Sequence, residues 1–245
     1  MRKALQNSIK SCTALLILAS LAWAADVPWK GKPYDQWTAQ DVERVFTDSP
    51  WARTATVTRT WRMLTQQELP NAMISGAARG VPTTQGPSND NAGNESTFDV
   101  YWSSSRVVRA ASARKAVLRG SQKNLDVEKY ANQPQEEYQI LVQSLQSNDM
   151  APFVRHDEKF FQDNAYLEIK KNKQKISPGH VQYERDEKGQ LVTFAIFFFP
   201  KKTPSGDPTV PTNEKNVEFH CKLEGSTLLV NFDPQKMMDN KGPDL

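Results

Sequence analysis

The sequence predicts an α+β domain built on a mainly antiparallel sheet of about eight strands, with two or three helices and a long disordered insertion. Three observations predict this class. Short runs rich in β-branched and aromatic residues recur along the chain, as is typical of strands. These runs do not alternate with helical segments, as the strands of a parallel sheet would. Two pairs of them flank glycine-containing turns, which is the pattern of antiparallel hairpins.

Residues 1–24 have the features of a secretory signal peptide. Three basic residues precede a short apolar run from Thr13 to Leu21, and Ala22-Trp23-Ala24 is a small-x-small cleavage site. The run is shorter than the roughly 20 residues that a membrane-spanning helix needs. We therefore expect cleavage at Ala24 or one residue later, a periplasmic or extracellular location, and no transmembrane segment after cleavage.

The first element expected in the mature chain is a short helix. Thr38 is a good N-cap, and Asp41 three residues later completes a variant of the capping box. Apolar residues then follow at helical spacing at Val42, Val45 and Phe46. The helix should end near Thr47, because Asp48-Ser49-Pro50 is a turn sequence.

A strand and a long polar stretch come next. The strand is predicted over Thr54–Met63, where threonines alternate with larger side chains. The stretch 65–97 holds four glycines, three prolines and few large apolar side chains. Such a composition buries too little apolar area to offset its chain entropy, so we predict a disordered insertion. The insertion interrupts a single domain, residues 25–238, since neither flank has enough strands to close a core alone.

The middle of the chain predicts a strand, an Arg-rich helix and a second strand. The first strand covers Phe98–Trp102. Ser103-Ser104-Ser105 then caps a helix that runs to Arg119 and ends at Gly120. A short helix or turn follows at Leu125–Tyr130, and alternation over Glu137–Leu145 fits a strand.

The last third predicts a strand and two hairpins. Six apolar residues at 194–199 make one hairpin arm apolar on both faces, so both faces should be covered and this arm should lie at the centre of the sheet. The tail, residues 239–245, is expected to be frayed. The predicted elements are Ala165–Lys170, then Val181–Tyr183 with Leu191–Phe199, then Val217–Leu223 with Thr227–Phe232.

The charge and the cysteine content argue against a nucleic-acid-binding protein and against a fold held together by disulfides. The 31 Lys and Arg exceed the 28 Asp and Glu by three, and the predicted leader carries three basic residues and no acidic one. The mature chain is therefore formally neutral, which gives no reason to expect a nucleic-acid partner. Removal of Cys12 with the leader leaves Cys221 alone, which excludes a fold held together by disulfides.

Several familiar catalytic and cofactor motifs are absent from the sequence. The chain lacks G-x-S-x-G, H-E-x-x-H, Walker and G-x-G-x-x-G patterns, and its three histidines have no metal-ligand spacing. We assign no catalytic residue, no cofactor and no metal ligand. His220 and Cys221 are neighbours on a predicted strand and should face opposite sides, which makes Cys221 a core residue. The run His156-Asp157-Glu158 reads either as a helix start or as a general base beside a carboxylate.

Six residues are the candidates for a binding surface. Four aromatic residues near the mature N-terminus suit a glycan, a peptide or a membrane interface, or else pack onto the sheet. Two arginines begin the Arg-rich helix, which could meet an acidic partner or lipid headgroups, or be a solvated face. The expected partner is an envelope protein, a glycan or a lipid headgroup. The candidates are Trp29, Tyr34, Trp37, Trp51, Arg106 and Arg109.

Several short motifs resemble an uncharacterised family of bacterial exported proteins. They are Asp48-Ser49-Pro50-Trp51-Ala52, Tyr101-Trp102-Ser103-Ser104 before the Arg-rich helix, Phe197–Pro200 and Val217–Phe219. The resemblance is spread over most of the mature chain. It implies export and brings no assigned catalytic residues. The ending, residues 237–242, departs from the more apolar sequence that the resemblance implies there.

Two functions remain open on the sequence. The leading hypothesis is an exported, non-catalytic module that binds a partner or ligand. The alternative is a hydrolase whose site is assembled from scattered carboxylates and His156. Buried titratable groups that converge in a pocket would favour the enzyme, whereas a flat aromatic surface would favour binding.

Overall fold

The computed structural model describes residues 27–58 and 95–245, which contain six α-helices and eleven β-strands. The predicted leader and residues 65–94 of the predicted insertion lie outside these ranges. No helix within them is long and apolar enough to cross a membrane. The helices are α1 (Pro28–Gly31), α2 (Ala39–Thr47), α3 (Arg106–Leu118), α4 (Val127–Ala131), α5 (Ala151–Arg155) and α6 (Glu158–Asn164). The strands are β1 (Ala52–Thr58), β2 (Glu95–Trp102), β3 (Glu137–Gln143), β4 (Ala165–Ile169), β5 (Gln174–Ile176), β6 (His180–Arg185), β7 (Val192–Pro200), β8 (Val217–Leu223), β9 (Ser226–Phe232), β10 (Met238–Asp239) and β11 (Gly242–Pro243).

The strands form two larger antiparallel sheets and one small hairpin. The five-stranded sheet has the order β1-β2-β3-β7-β6, and the four-stranded sheet has the order β5-β4-β8-β9. The α+β class with antiparallel sheets is therefore confirmed. The number of helices and strands exceeds the expectation, because short elements such as α5, α6 and β5 have too few residues to show a clear period.

The inner faces of the two larger sheets pack on each other through aromatic rings. The Phe219 ring lies 5.1 Å from that of Phe197, and the Trp102 ring lies 5.3 Å from that of Phe232. At one side, Arg53 Nε donates a 2.6 Å hydrogen bond to the Asn231 carbonyl oxygen, which ties β1 to β9. The hydrophobic core lies between the sheets.

The predicted capping residues of the two longest described helices, α2 and α3, are confirmed. The Thr38 hydroxyl accepts from the Asp41 N–H, and the Asp41 carboxylate accepts from the Thr38 N–H, so the capping box closes. The Ser105 hydroxyl accepts from the Val108 N–H at the start of α3. Gly120 follows α3 with a φ of 77°, a left-handed conformation that glycine adopts without strain.

Strand β2 begins three residues earlier than predicted. Thr97 pairs with Thr56, and Glu95 pairs with Thr58, so residues 95–97 belong to the sheet and not to the insertion. Ser96 lies between them and is buried. All three side chains are polar, so their composition resembles that of the preceding stretch, and only the pairing with β1 separates them.

Strand β7 lies between β3 and β6, so its predicted central position is confirmed. Its inner face is buried at Ala195, Phe197 and Phe199. Its outer face is only half-buried at Phe194, Ile196 and Phe198. The expectation that both faces are fully covered is therefore wrong for the outer side.

The tail is packed and not frayed, which corrects the sequence-based expectation. Strands β10 and β11 pair as a hairpin over residues 238–243. Asp239 is 7% exposed and Asp244 is 2% exposed. Charged and turn-forming residues look solvated in sequence, but here both carboxylates have partners in other parts of the chain.

Cys221 is fully buried on the inner face of β8, and burial raises the pKa of its thiol. We expect Cys221→Ser to lower the free energy of unfolding by about 1–3 kcal/mol, because a hydroxyl would be buried without a partner. The exposed neighbour Lys222 supplies the control, since Lys222→Ala should change stability by about 0.5 kcal/mol or less. Urea titration measures both. Maleimide labelling of the native protein as fast as in denaturant would contradict the burial of the thiol.

Candidate functional site

The four aromatic candidates from the sequence lie in the core. Trp29, Tyr34, Trp37 and Trp51 are at most 4% exposed. The Trp29 and Trp51 rings meet edge to face at 5.6 Å, and Tyr34 meets Trp37 in the same way at 5.0 Å. These rings pack the N-terminal segment onto the domain, so they offer no flat surface to a partner.

The first arginine candidate, Arg106, belongs to an internal ion network. Its guanidinium group donates two hydrogen bonds of 2.8 Å to the two carboxylate oxygens of Asp239, and Tyr34 Oη donates a third of 2.8 Å. Asp244 accepts from the backbone N–H groups of Arg106 and Val107 at the start of α3. We call these four side chains, Tyr34, Arg106, Asp239 and Asp244, the tail network.

The two carboxylates of the tail network have opposite pKa shifts. Burial opposes the charge on Asp239, but the hydrogen bonds from Arg106 and Tyr34 outweigh it and lower the pKa of this carboxyl. Burial raises the pKa of Asp244, because the two N–H groups offset it only in part. The charged groups of the tail network form hydrogen bonds with one another and with backbone N–H groups. The network therefore fixes the tail to the domain and is not a ligand site.

The predicted basic face of α3 is divided between interior and surface. Arg109 is buried, donates to the carbonyl oxygens of Gln133 and Tyr130, and does not face a partner. Arg114 Nε donates to the Trp37 carbonyl oxygen at 2.7 Å. The basic side chains of α3 therefore do not form one continuous surface.

A cleft lies between helices α2 and α3 and the outer face of the five-stranded sheet. Its volume is about 660 Å³. The floor comes from neighbouring strands, in which Thr54 pairs with Asp99, Asp99 with Gln143, and Tyr101 with Leu141. Phe46, Glu43 and Thr47 of α2 and Val108, Ser112, Lys115, Ala116 and Arg119 on and after α3 line the walls.

Two carboxylates, Asp99 and Glu43, line the cleft together with Tyr101. Burial, together with the charges of Asp99 and Glu43, raises the pKa of the Tyr101 hydroxyl. Asp99 also accepts a 2.8 Å hydrogen bond from the Thr54 hydroxyl. Glu43 is exposed on α2 and has no ion-pair partner among the described residues. The carboxylates are therefore placed to attract a cation.

Two cations face the cleft from α3. Lys115 and Arg119 are four residues apart and thus lie on one side of the helix. Lys115 Nζ lies 5.0 Å from the centre of the Phe46 ring. Within the part of the chain that the structure describes, neither side chain forms an ion pair. Their charges are available to an anion in the cleft.

The apolar part of the floor continues beyond the cleft. Leu141 pairs directly with Ile196 on β7, so both side chains point to the same outer face. Phe194 and Phe198 flank Ile196 on that face, and all four residues are half-buried. We call Leu141, Phe194, Ile196 and Phe198 the apolar row.

His156, the residue of the hydrolase alternative, lies away from the cleft. It precedes α6, whose N-cap is Asp157, so the predicted helix start is confirmed. Its Nε2 lies 2.9 Å from Glu224 Oε1, close but not aligned for a hydrogen bond, and its ring stacks on Phe160 at 4.0 Å. Arg155 pairs with the same carboxylate at 2.6 Å. The group is a surface ion pair beside the turn between β8 and β9.

Among the described residues, no group of three or more His, Cys, Asp or Glu side chains is placed to hold a metal ion. Comparison of the chain with family models, with curated proteins and with solved structures returns no match.

Sequence reasoning missed the residues that line the cleft. Strand alternation alone would place Asp99 and Tyr101 on one face, and spacing alone would place Lys115 and Arg119 together. Nothing in the sequence indicates that these two pairs face each other. Their approach depends on how α3 packs over β1, β2 and β3.

Proposed function

We propose that this protein is an exported module that binds a small ligand, without catalysis, in the cleft over the five-stranded sheet. Export is supported by the basic, apolar and small-residue segments within residues 1–24 and by the resemblance to bacterial exported proteins. Binding is supported by the cleft and by its charged lining, in which Glu43, Lys115 and Arg119 form no ion pair within the part of the chain that the structure describes.

Export predicts a defined mature N-terminus. Protein recovered from the periplasm or medium of an expressing bacterium should begin at Ala25 or one residue later. N-terminal sequencing of that fraction checks this. An intact Met1 on exported protein, or full-length protein confined to the cytoplasm, would contradict the proposal.

The single observation that carries the binding proposal is the cleft. Its volume of about 660 Å³ lies within the range of small-molecule sites. The expected partners were an envelope protein, a glycan or a lipid headgroup. A concave site of this size favours a small molecule or a headgroup over the surface of a folded protein, which is flatter and larger.

The lining is suited to binding a small ligand. Thr54, Tyr101 and Gln143 supply hydrogen-bonding groups, and Phe46 and Leu141 supply apolar surface. The described lining contains no histidine or cysteine, and its Ser112 and Lys115, three residues apart on α3, form no hydrogen bond with each other among the described contacts. A few polar groups on an apolar floor are typical of ligand recognition.

Anilinonaphthalene sulfonate tests the cleft, because it combines apolar rings with an anion. We expect the folded mature protein to bind this dye with one site. Ser112 is exposed on α3 and lines the cleft, so Ser112→Trp should fill the space and weaken dye binding about tenfold or more. Fluorescence titration measures the change.

The matched control is a second tryptophan on the same helix. Leu118 is 45% exposed and does not line the cleft, so Leu118→Trp should bind the dye as the wild-type protein does. Thermal unfolding shows that both variants are folded. Equal dye binding by wild-type protein and the Ser112 variant, or no binding by the wild-type protein, would contradict a ligand site in this cleft.

A further inference from the structure

We infer that the ligand of the cleft is a zwitterionic amphiphile with a single apolar chain, of the phosphocholine or phosphoethanolamine class. The inference rests on the proposed function, since it names the chemistry of the ligand in the same cleft. Three features carry it: a pair of cations, a pair of carboxylates, and an apolar row that leads out of the cleft.

The cleft presents charges of both signs on different elements. Lys115 and Arg119 project from the last turn of α3 and its cap. Asp99 on β2 and Glu43 on α2 line the same cleft. A ligand with one charge would be attracted by one pair and repelled by the other. A zwitterion meets both pairs with the favourable sign.

The phosphate of such a ligand fits the cationic side. Lys115 and Arg119 together provide a charged ammonium group and a forked guanidinium group, which are the usual side chains for phosphate. Lys115 is half-buried against Phe46, so part of its charge is shielded from water. An ion pair at such a site is stronger than one between fully exposed groups.

The ammonium part fits the two carboxylates. Asp99 on β2 and Glu43 on α2 both line the cleft. The Tyr101 ring, which meets Phe46 edge to face at 5.3 Å between ring centres, also lines the cleft. Aromatic rings and carboxylates together are the surroundings that substituted ammonium groups favour.

The apolar row can bind the hydrocarbon chain of the amphiphile outside the charged part of the cleft. Leu141 both lines the cleft and pairs with Ile196, so the row is continuous with the floor. Neighbouring strands are about 4.8 Å apart, so the row extends the apolar floor by at least one strand beyond β3. Phe194 and Phe198 widen it along β7, and covering these half-exposed side chains removes apolar surface from water.

Dodecylphosphocholine, used below its micelle concentration, is the probe that tests the inference. We expect it to bind the mature protein and to displace anilinonaphthalene sulfonate. Lys115→Glu and Glu43→Lys should each weaken its binding about tenfold, because each reversal turns one attraction into a repulsion. Isothermal titration calorimetry measures the dissociation constants.

Two charge reversals outside the cleft serve as matched controls. Lys171 and Glu187 are exposed in hairpin turns and do not line the cleft. Lys171→Glu and Glu187→Lys change the net charge by the same amounts as the cleft variants and should leave binding unchanged. Thermal unfolding confirms that all four variants keep the fold.

Two simpler probes separate the parts of the ligand. Dodecanoate has the chain and an anion but no cation, and phosphocholine has the zwitterion but no chain. Both should bind at least about tenfold more weakly than dodecylphosphocholine. If either binds equally well, the inference is overturned, because one recognition element is then unused.

The outcomes distinguish this inference from the proposed function. If the dye binds in the cleft but dodecylphosphocholine does not, or if the cleft reversals leave its affinity unchanged, the zwitterionic class is wrong and the cleft remains a ligand site. If the dye does not bind at all, the proposed function itself fails.

Discussion

Asp239→Ala is expected to lower the free energy of unfolding by about 3 kcal/mol. The side chain of Asp239 is fully shielded from solvent, and it accepts hydrogen bonds from Arg106 and Tyr34. Its removal leaves the buried Tyr34 hydroxyl without its acceptor, and leaves the Arg106 guanidinium group with only Asp244, at 3.6 Å, and the Pro243 carbonyl oxygen. Because about a quarter of the Arg106 side chain is exposed, the loss should lie near the lower limit for a buried ion pair.

The control for Asp239 is an exposed ion pair elsewhere in the chain. Asp163 pairs with Lys159 on α6, with 57% and 67% of the side chains exposed. Asp163→Ala should cost about 0.5 kcal/mol or less, since exposed pairs contribute little. Urea titration at neutral pH compares the two variants. Equal losses would show that the tail network does not stabilise the fold.

The cost of Asp239→Ala should also depend on pH. The folded-state pKa of Asp239 is below its ordinary value of 3.8, so its ion pair stabilises the fold fully above that pH. As the pH falls through the folded-state pKa, that contribution is lost, and the difference between wild type and variant should shrink. Asp244 titrates in the opposite sense, because its raised pKa makes ionisation cost stability as the pH rises. A difference that grows on acidification would contradict this assignment.

Phe219→Ala is expected to have the largest effect on stability, a loss of about 4 kcal/mol. Phe219 is fully buried between the sheets, where its ring contacts Phe197 at 5.1 Å and Phe199 at 6.3 Å. Truncation removes apolar burial and leaves a cavity that two rigid sheets fill only in part. Chemical denaturation measures the loss.

An outward-facing residue of the same hairpin provides the comparison. Leu229 lies on β9 and is 47% exposed. Leu229→Ala should change stability by about 0.5 kcal/mol or less, because little apolar surface is buried there. A similar loss at both positions would mean that the register of the β8–β9 hairpin is wrong, since a shift of one residue exchanges the two faces.

Much of the local structure was predictable because its causes lie within a few residues. The cap of Thr38 on Asp41 and the cap of Ser105 on Val108 each span three residues. Gly189 and Gly225 have φ values of 69° and 75°, which explains why each hairpin turn falls at a glycine. Alternation over Val217–Leu223 correctly assigned Cys221 to the core, since a strand has a period of two.

The candidate binding residues were not predictable in the same way. An amphipathic ring or a long basic side chain has the same sequence pattern whether it packs inside or faces water. Trp51 Nε1 donates to the carbonyl oxygen of Asp244, 193 residues away, and Arg106 meets Asp239 133 residues away. Partners this far apart in the chain leave no local pattern in the sequence. The aromatic residues expected at a binding surface are therefore found in the core.

The sequence by itself therefore determined the starts of the two long helices, the hairpin turns, the antiparallel class and the inward face of the strand Val217–Leu223, because these depend on short-range geometry and on the period of the chain. Only the tertiary structure decided that residues 238–245 pack as a hairpin and that the N-terminal aromatic rings are buried. It also decided that Glu43, Asp99, Lys115 and Leu141 meet around one cleft. The physical reason is that these contacts join elements far apart in the chain, and their free energy comes from burial and charge pairing that exist only after the elements have packed.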